Sequence, residues 1–481
     1  MTSRPSTPPS QDPWEDEDFR FITNGTACEW GEAYHPGGYH PIHLGDTIHN
    51  RYRIIRKLGW GQFSTVWLAI DEQVNKYVSL KITVAKKTSD ISKEVSLYKS
   101  YLNGECPFVV TLDDDVKISG PNGEHECFVF EVMGPNLTSL LQKRPEFQIG
   151  EPWERRFTAT FAKRALLDTL QALHSLHTRG VVHGDLHTGN ILACIEEPSV
   201  TPETESQLKQ SIADARPLKR KDGKKDLWAP SYLLEQKDLD EYFSYELQPL
   251  VKLTDLGGSF SINEPVTGKD VVTPAALRAP EAILGDVVGK GLDIWCFGCL
   301  IFEMLVGRPL FVGLQSLEGK AYDEITNDEH LCQIWDVIGP FPKSLKEKWR
   351  RADKYFGPDG EKLEIQDEEE DSQNEDADKD IGNPGNDAGP GATYDDAMSD
   401  TSSVLLAYPG EYVSLERQFT DEKPDDIGET ESEEILQLLR WTFQYDPSRR
   451  PSTAELLDHP WFNGSSDSKD DTRPSRKARY N

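Results

Sequence analysis

The sequence predicts an α+β fold in two lobes, a small strand-rich lobe followed by a larger helical one. Three observations carry that expectation. Residues 52–58, 64–70 and 77–84 are rich in β-branched and aromatic side chains, with a glycine-containing turn after the first, which reads as an antiparallel meander. Beyond Gly134 the apolar residues recur at helical spacing instead, in a long segment over 153–176 and again around 280–307, 328–339, 432–444 and 452–458. Strands gathered in one stretch and helices in another point to two separately packed parts rather than to alternating βαβ units. With 11 Trp, 19 Phe and 16 Tyr among 481 residues, the chain has ample material for a large core.

Taken in order, residues 1–50 form an extension whose first 18 residues, rich in Pro, Ser and acids, read as disordered, and whose end is expected against the small lobe. The small lobe, 51–133, holds the meander, a helix over 92–102 with Val95, Tyr98 and Leu102 at helical spacing, and a strand over 127–133. The large lobe, 134–462, carries two insertions. Residues 196–248 open polar, pass a basic run (Lys219, Arg220, Lys221, Lys224, Lys225) and then gain aromatics, so order is expected only toward their C-terminal end. Residues 367–400 hold thirteen acidic residues and one Lys with hardly an apolar side chain, too little burial to offset the entropy of ordering. The stretch 463–481 reads as a disordered charged tail.

The formal charge of −31 argues against a partner bound by phosphate neutralisation, so no direct nucleic-acid contact is expected. Seven Cys lack metal or disulfide spacing; Cys296 and Cys299, inside one apolar run, read as core thiols, and this usage suits a reducing compartment. The start lacks a signal-peptide layout, and the apolar run 292–307 is short and contains Asp293 and Glu303. A soluble, intracellular protein with no membrane contact is expected. Sequon matches at Asn24 and Asn463 carry no meaning without secretion.

The chemistry begins at Leu58-Gly59-Trp60-Gly61-Gln62-Phe63-Ser64-Thr65-Val66, where glycines would let backbone N–H groups approach a phosphate closely. A plain hairpin would look the same, and the motif does not open a helix as a dinucleotide fingerprint does. Lys81 ends a later strand, where an ammonium can reach phosphates, and Glu94 on the next helix can hold it; a solvated surface pair is the plain alternative. His183-Gly184-Asp185-Leu186-His187-Thr188-Gly189-Asn190 then pairs a carboxylate with an amide five residues on. Phosphoryl transfer needs such a pair, one group to orient the attacking hydroxyl and one to hold a metal. Asp255, in Thr254-Asp255-Leu256-Gly257 after an apolar strand, supplies a second metal-binding carboxylate. Arg278-Ala279-Pro280-Glu281, Asp293-Ile294-Trp295 with Gly298, and Asp446-Pro447 with Arg449-Arg450-Pro451 follow.

In this order the motifs resemble those of eukaryotic protein kinases over roughly residues 51–462. The resemblance implies a bilobal protein-kinase fold with ATP as donor and magnesium (Mg2+) as cofactor. It implies that Leu58 to Val66 cover ATP, that Lys81 pairs the phosphates and Glu94 clamps Lys81, that Asp185 is the catalytic carboxylate, and that Asn190 and Asp255 are the metal ligands. Phe130 would be the gatekeeper and Glu131 to Met133 the adenine-binding hinge. Glu281 would pair with Arg450 to brace the large lobe, with Asp293 a further structural residue. More narrowly, Gly37-Gly38-Tyr39-His40-Pro41-Ile42, Gly45-Asp46 before Arg51-Tyr52, LGWGQFSTVWLA (58–69), FEVMG (130–134), the insertion between Asn190 and Asp255 and DPSRRPSTAELLDHPWF (446–462) are similar to the serine/arginine-protein kinases. That similarity implies a Ser/Thr kinase acting on basic Arg/Ser-rich proteins of RNA processing, as a monomer, in cytoplasm and nucleus.

Departures from the pattern add expectations. Gly184 stands where many kinases have Arg, leaving no cation beside Asp185 to await a phosphorylated activation segment, so constitutive activity is expected. His187 replaces a Lys that contacts the transferring phosphate; a neutral imidazole donates one hydrogen bond without a fixed charge. A gapless alignment puts Pro274 where a Thr touches the catalytic carboxylate, and Thr273 recovers that role if the loop carries one extra residue. Asp323, Glu324, Asp328 and Glu329 form a candidate dock for an Arg-rich peptide, although a solvated helix start would carry the same acids. Two other readings stay open: a catalytically weak scaffold, which His187 favours, and a small-molecule phosphotransferase, which HGDLHTGN also resembles. The basic run at 219–225 reads either as an import signal or as a solvated loop.

Overall fold

The computed structural model describes residues 19–22, 28–85, 94–99, 106–151, 154–312, 320–358, 361–363 and 413–463. The expectations for 1–18, 367–400 and 465–481 lie outside them. Six antiparallel strands make the small lobe's sheet: β1 (Thr47–Ile48), β2 (Tyr52–Gly61), β3 (Ser64–Asp71), β4 (Lys76–Thr83), β5 (Leu112–Gly120) and β6 (Gly123–Phe130), in the order β1-β2-β3-β4-β6-β5. β5 has no counterpart in the sequence expectations. It is an edge strand without a fully buried residue, so its Leu-Asp-Asp-Asp start carries no strand-like apolar pattern. Arg51 and Lys99 take up Asp114 and Asp115, at 3.1 and 2.5 Å.

The helical lobe contains α1 (Leu137–Lys143), α2 (Ala159–Thr178), α3 (Pro202–Leu208), α4 (Lys290–Val306), α5 (Lys320–Ile338), α6 (Leu415–Glu422), α7 (Glu429–Thr442) and α8 (Thr453–Leu457). α2 starts later than the pattern from 153 suggests, because Thr158 caps it by accepting from the Phe161 N–H at 3.3 Å. α4 is buried on nearly every side from Leu292 to Val306 and runs through the core, with Cys296 and Cys299 as buried thiols; all seven cysteines are free. Among the described residues no helix is long and apolar enough to cross a membrane. Short strands pair as β7 (Val181–Val182) with β12 (Phe260–Ser261), β8 (Ile191–Ala193) with β11 (Val251–Leu253), and β9 (Ala215–Pro217) with β10 (Tyr232–Leu234).

The insertion 196–248 corrects the expectation of partial order, since it is structured from end to end. A capping box between Thr201 and Thr204 starts α3, with Pro202 in its first turn. Leu208 and Leu239 pack beneath Ile55, Leu68, Ile70 and Tyr77 of the sheet, and Leu234 joins a second sheet cluster. Leu218, Ala229 and Leu233 meet Phe21, Cys28, Tyr34 and Tyr39 of the N-terminal extension. The buried apolar residues of the insertion thus have partners far away in sequence, and no local periodicity announces them. Two residues of the basic run are held in the same layer: Arg220 bridges Phe21 and pairs with Asp222 and Asp226, and Lys221 lies over the Phe19 ring.

Burial of His330 makes stability depend on pH. Its Nε2–H donates to the Arg278 carbonyl (3.1 Å), the buried Nδ1 has no hydrogen-bond partner among the described residues, and burial holds the imidazole down at about 4. Unfolding returns it to an ordinary value near 6.5, so the unfolded chain binds the extra proton and stability falls as pH drops from about 6.5 toward 4. Wild-type Tm is expected to fall more steeply across that range than that of His330→Gln. Parallel slopes would contradict this.

Candidate active site

β2 and β3 meet in the turn at Gln62 and Phe63, and the Tyr39 hydroxyl donates to the Gly61 carbonyl at 2.7 Å, tying the loop to the extension. A Cβ on Gly61 would meet nothing within 4 Å, and one on Gly59 only Gln236 Oε1 at 3.9 Å. Packing against the protein therefore does not demand these glycines, and without side chains they leave the loop's backbone open to a ligand.

Lys81 sits on β4 paired opposite Val66 on one side and Phe128 on the other. Its Nζ donates to Glu94 Oε1 at 3.1 Å and to Asp255 Oδ1 at 3.0 Å, so one ammonium joins the helical turn at 94–99 to the large lobe. Burial alone would lower Lys81, but the two carboxylates raise it overall. Burial alone would raise Asp255, but Lys81 and the Gly257 N–H hold it down at about 2. Glu94 is raised, its burial outweighing Lys81.

Asp255 adopts φ +62°, a left-handed conformation that a short carboxylate tolerates by bonding its own backbone, here the Gly257 N–H at 3.2 Å. A Cβ at Gly257 would press on Asp255 Oδ1 at 3.1 Å, which accounts for the glycine in Asp255-Leu256-Gly257. β8 and β11 pair Ile191 with Leu253, and the Thr254 N–H donates to the Asn190 carbonyl at 2.9 Å; that pairing brings Asn190 beside Asp255.

Asp293, fully buried at the start of α4, shapes the loop that carries Asp185. It accepts from the His183 N–H (2.8 Å) and the Gly184 N–H (2.9 Å) and bonds His177 Nε2 (2.8 Å). Burial alone would raise its carboxyl, yet these donors keep it below the usual range. Gly184 has φ +76°, and a Cβ there would lie 2.7 Å from the Gly258 carbonyl oxygen, so local geometry favours Gly over an Arg at this position. Asn190 Nδ2 donates to Asp185 Oδ2 at 3.1 Å and to its carbonyl at 2.9 Å, fixing the carboxylate.

His187 Nδ1 accepts the Gly189 N–H at 3.0 Å, which puts the proton of the neutral ring on Nε2, 3.6 Å from Asp185 Oδ2. Thr273 donates to the Gly184 carbonyl at 2.5 Å rather than to the Asp185 carboxylate, so it meets the catalytic loop through backbone. Sequence reasoning left this role conditional on loop length, which only the fold decides.

At the hinge, the Glu131 carboxylate is engaged by the Thr111 N–H and by Lys252, each at 2.7 Å, which leaves any adenine contact to the backbone of 131–133; Met133 is buried. Phe130 packs between Tyr98 and Phe128. Deeper in the large lobe, Arg450 makes a two-pronged pair with Glu281 at 2.6 and 2.8 Å and also donates to the Gly291 and Gln444 carbonyls.

Two residues of the candidate dock, Glu324 and Asp328, are engaged by one cation of the fold, Arg351. The Asp323 side chain lies outside the described residues. Asp328 is a correction: it is 5% exposed, accepts from Trp349 Nε1 at 2.6 Å and pairs with Arg351, so it stabilises the packing of α5 and cannot meet a peptide. Glu324 is exposed and pairs with Arg351 at 2.9 Å, while Glu329 is half-buried and its carboxyl is pushed up by burial.

The protein kinase domain model matches residues 52–201 and 233–462, and the gap between them falls inside the insertion. The chain is 32% identical over 352 residues to the serine/threonine-protein kinase SRPK of Physarum polycephalum, covering 69% of this chain and 77% of that one. It is 28% identical over 418 residues to the protein kinase dsk1 of Schizosaccharomyces pombe, covering 69% and 74%. With the human SRSF protein kinase 3 it shares 36% identity over 170 residues, 34% of this chain and 29% of that one. A crystal structure of a kinase domain aligns with a TM-score of 0.55 at 22% identity, over 88% of this chain and 98% of that one, and shows the shared fold.

Proposed function

Because this chain belongs to the protein kinase family, in its SRPK branch, and is a serine/threonine protein kinase, we propose that it phosphorylates basic Arg/Ser-rich proteins without needing a phosphate on its own activation segment. The observation that carries this reading is the Lys81–Glu94–Asp255 junction standing assembled beside Asp185 and Asn190. The names of the relatives support the substrate class. The glycine at 184 and the Thr273 contact to its carbonyl support independence from phosphorylation, since neither involves a cation awaiting phosphate.

Lys81, held by two carboxylates, would present its ammonium to the ATP phosphates, under a loop whose glycines let backbone N–H groups come close. Asp185 would orient the substrate hydroxyl and take up its proton, with Asn190 holding it in place and His187 offering Nε2–H nearby. Among the described residues nothing hydrogen-bonds Asn190 Oδ1 or Asp255 Oδ2, and both are oxygen donors of the kind magnesium takes. Bound there with ATP, the ion would neutralise phosphate charge. The small-molecule reading gives way to the match with the protein kinase domain. We place the protein in cytoplasm and nucleus as a monomer, in keeping with its free thiols; nucleic acid and membrane have no part in this proposal.

The full chain with labelled ATP and magnesium is expected to favour an Arg/Ser-repeat peptide over a Lys-rich serine peptide by about tenfold in kcat/KM. Equal use of both would retain the kinase and discard the substrate class. Phosphatase pretreatment that abolished transfer would discard independence from phosphorylation.

A further inference from the structure

Among the described residues, the half of β2 that leads into the glycine loop has no strand beside it on the side away from β3. β1 pairs only with Tyr52 and Arg53, and the Gly45 N–H and Asp46 carbonyl complete Ile54, each at 2.9 Å. Over the next three residues the backbone groups turned away from β3 that find partners are the Ile55 carbonyl and the N–H and carbonyl of Lys57. An open edge of this kind needs partners. The insertion supplies all three. The Gln210 N–H donates to the Ile55 carbonyl (3.0 Å), Gln210 Oε1 accepts from the Lys57 N–H (3.0 Å), and the Lys237 N–H donates to the Lys57 carbonyl (2.9 Å).

Gln210 is 2% exposed and uses its remaining donor, Nε2, on the Glu235 carbonyl at 2.9 Å, so one side chain ties both legs of the insertion to the strand. Arg56, on the same strand, donates to the Leu208 carbonyl (2.6 Å) and the Asp238 carbonyl (3.1 Å). The insertion also leaves and rejoins the large lobe through β8 and β11, which start one residue after Asn190 and end two residues before Asp255. One segment is therefore anchored both beneath the metal-binding pair and at the root of the loop above it.

We propose that Gln210 is a positioning residue for ATP, setting the glycine loop over the cleft by capping the free edge of β2. This rests on the reading that residues 58–66 cover ATP. A cap that served stability alone would lower Tm and leave nucleotide affinity unchanged.

Gln210→Ala in the full chain should raise KM for ATP, and the Kd for ATP measured without peptide, by about fivefold, with peptide KM within about twofold. A lowered Tm with ATP KM and Kd unchanged overturns the inference, as does an equal rise in ATP and peptide KM. Should Gln210→Ala fail to fold, Gln210→Glu keeps the acceptor for Lys57 but loses the tie to Glu235, and a rise of about threefold is expected; no rise overturns the inference. A wild type that binds ATP tightly while the variants match it sinks this inference alone. A wild type that binds no ATP sinks the kinase reading with it.

Discussion

Asp185→Asn is expected to cut phosphate transfer by about 10²–10⁴-fold, the range usual for a lost general base, with KM for ATP within about twofold. The amide matches the carboxylate in size, and the loop around it is held by Asp293 through the His183 and Gly184 N–H groups, so the variant keeps its fold. What it loses is the negative oxygen now fixed by Asn190 Nδ2, and with it the acceptor for a substrate proton. Single-turnover transfer to an Arg/Ser peptide separates chemistry from product release. A rate like that of wild type would remove Asp185 from the chemistry and revive the scaffold reading.

Arg450→Met is expected to destabilise the chain by about 3–5 kcal/mol in urea unfolding, the cost of stranding one partner of a buried ion pair. The pair is sealed, with the two side chains 0% and 5% exposed, and Arg450 also stacks over Trp295. Adding Glu281→Leu should recover part of the loss, because no buried charge then stands alone. The carbonyls of Gly291 and Gln444 would still lack their donor, so recovery stays incomplete. A single variant as mild as a surface substitution, within about 0.5 kcal/mol, would contradict the bracing role.

Much of the site could be read in the sequence because its residues lie in short motifs with fixed spacing. Lys81, Glu94, Asp185, Asn190 and Asp255 needed only the fold to bring them together. β2 to β4 were legible for the same local reason, as alternating apolar runs with turn residues between. β5 was not, because an edge strand keeps polar side chains on the outside. The order of the insertion was hidden since Leu208 and Leu239 find their partners on β2, β3 and β4 and not in neighbouring turns. Acids read from the sequence alone look the same whether solvated or paired, so on α5 Asp328 could not be told from Glu324 until Trp349 and Arg351 were placed. Gly184 was visible as a departure, but its cause, a left-handed backbone against Gly258, is a matter of tertiary geometry.

The capped edge of β2 has a meaning for the order in which the chain is made. Gln210 follows Lys57 by 153 residues, so at roughly 5–20 residues per second the ribosome delivers the cap about 8–30 s after the strand. During that interval the emerging small lobe shows an unpaired strand edge with Ile55, Ile70 and Tyr77 uncovered beside it. The small lobe is thus completed out of turn, by a piece synthesised after the catalytic loop. The nascent chain is most exposed to mispairing before Gln210 arrives.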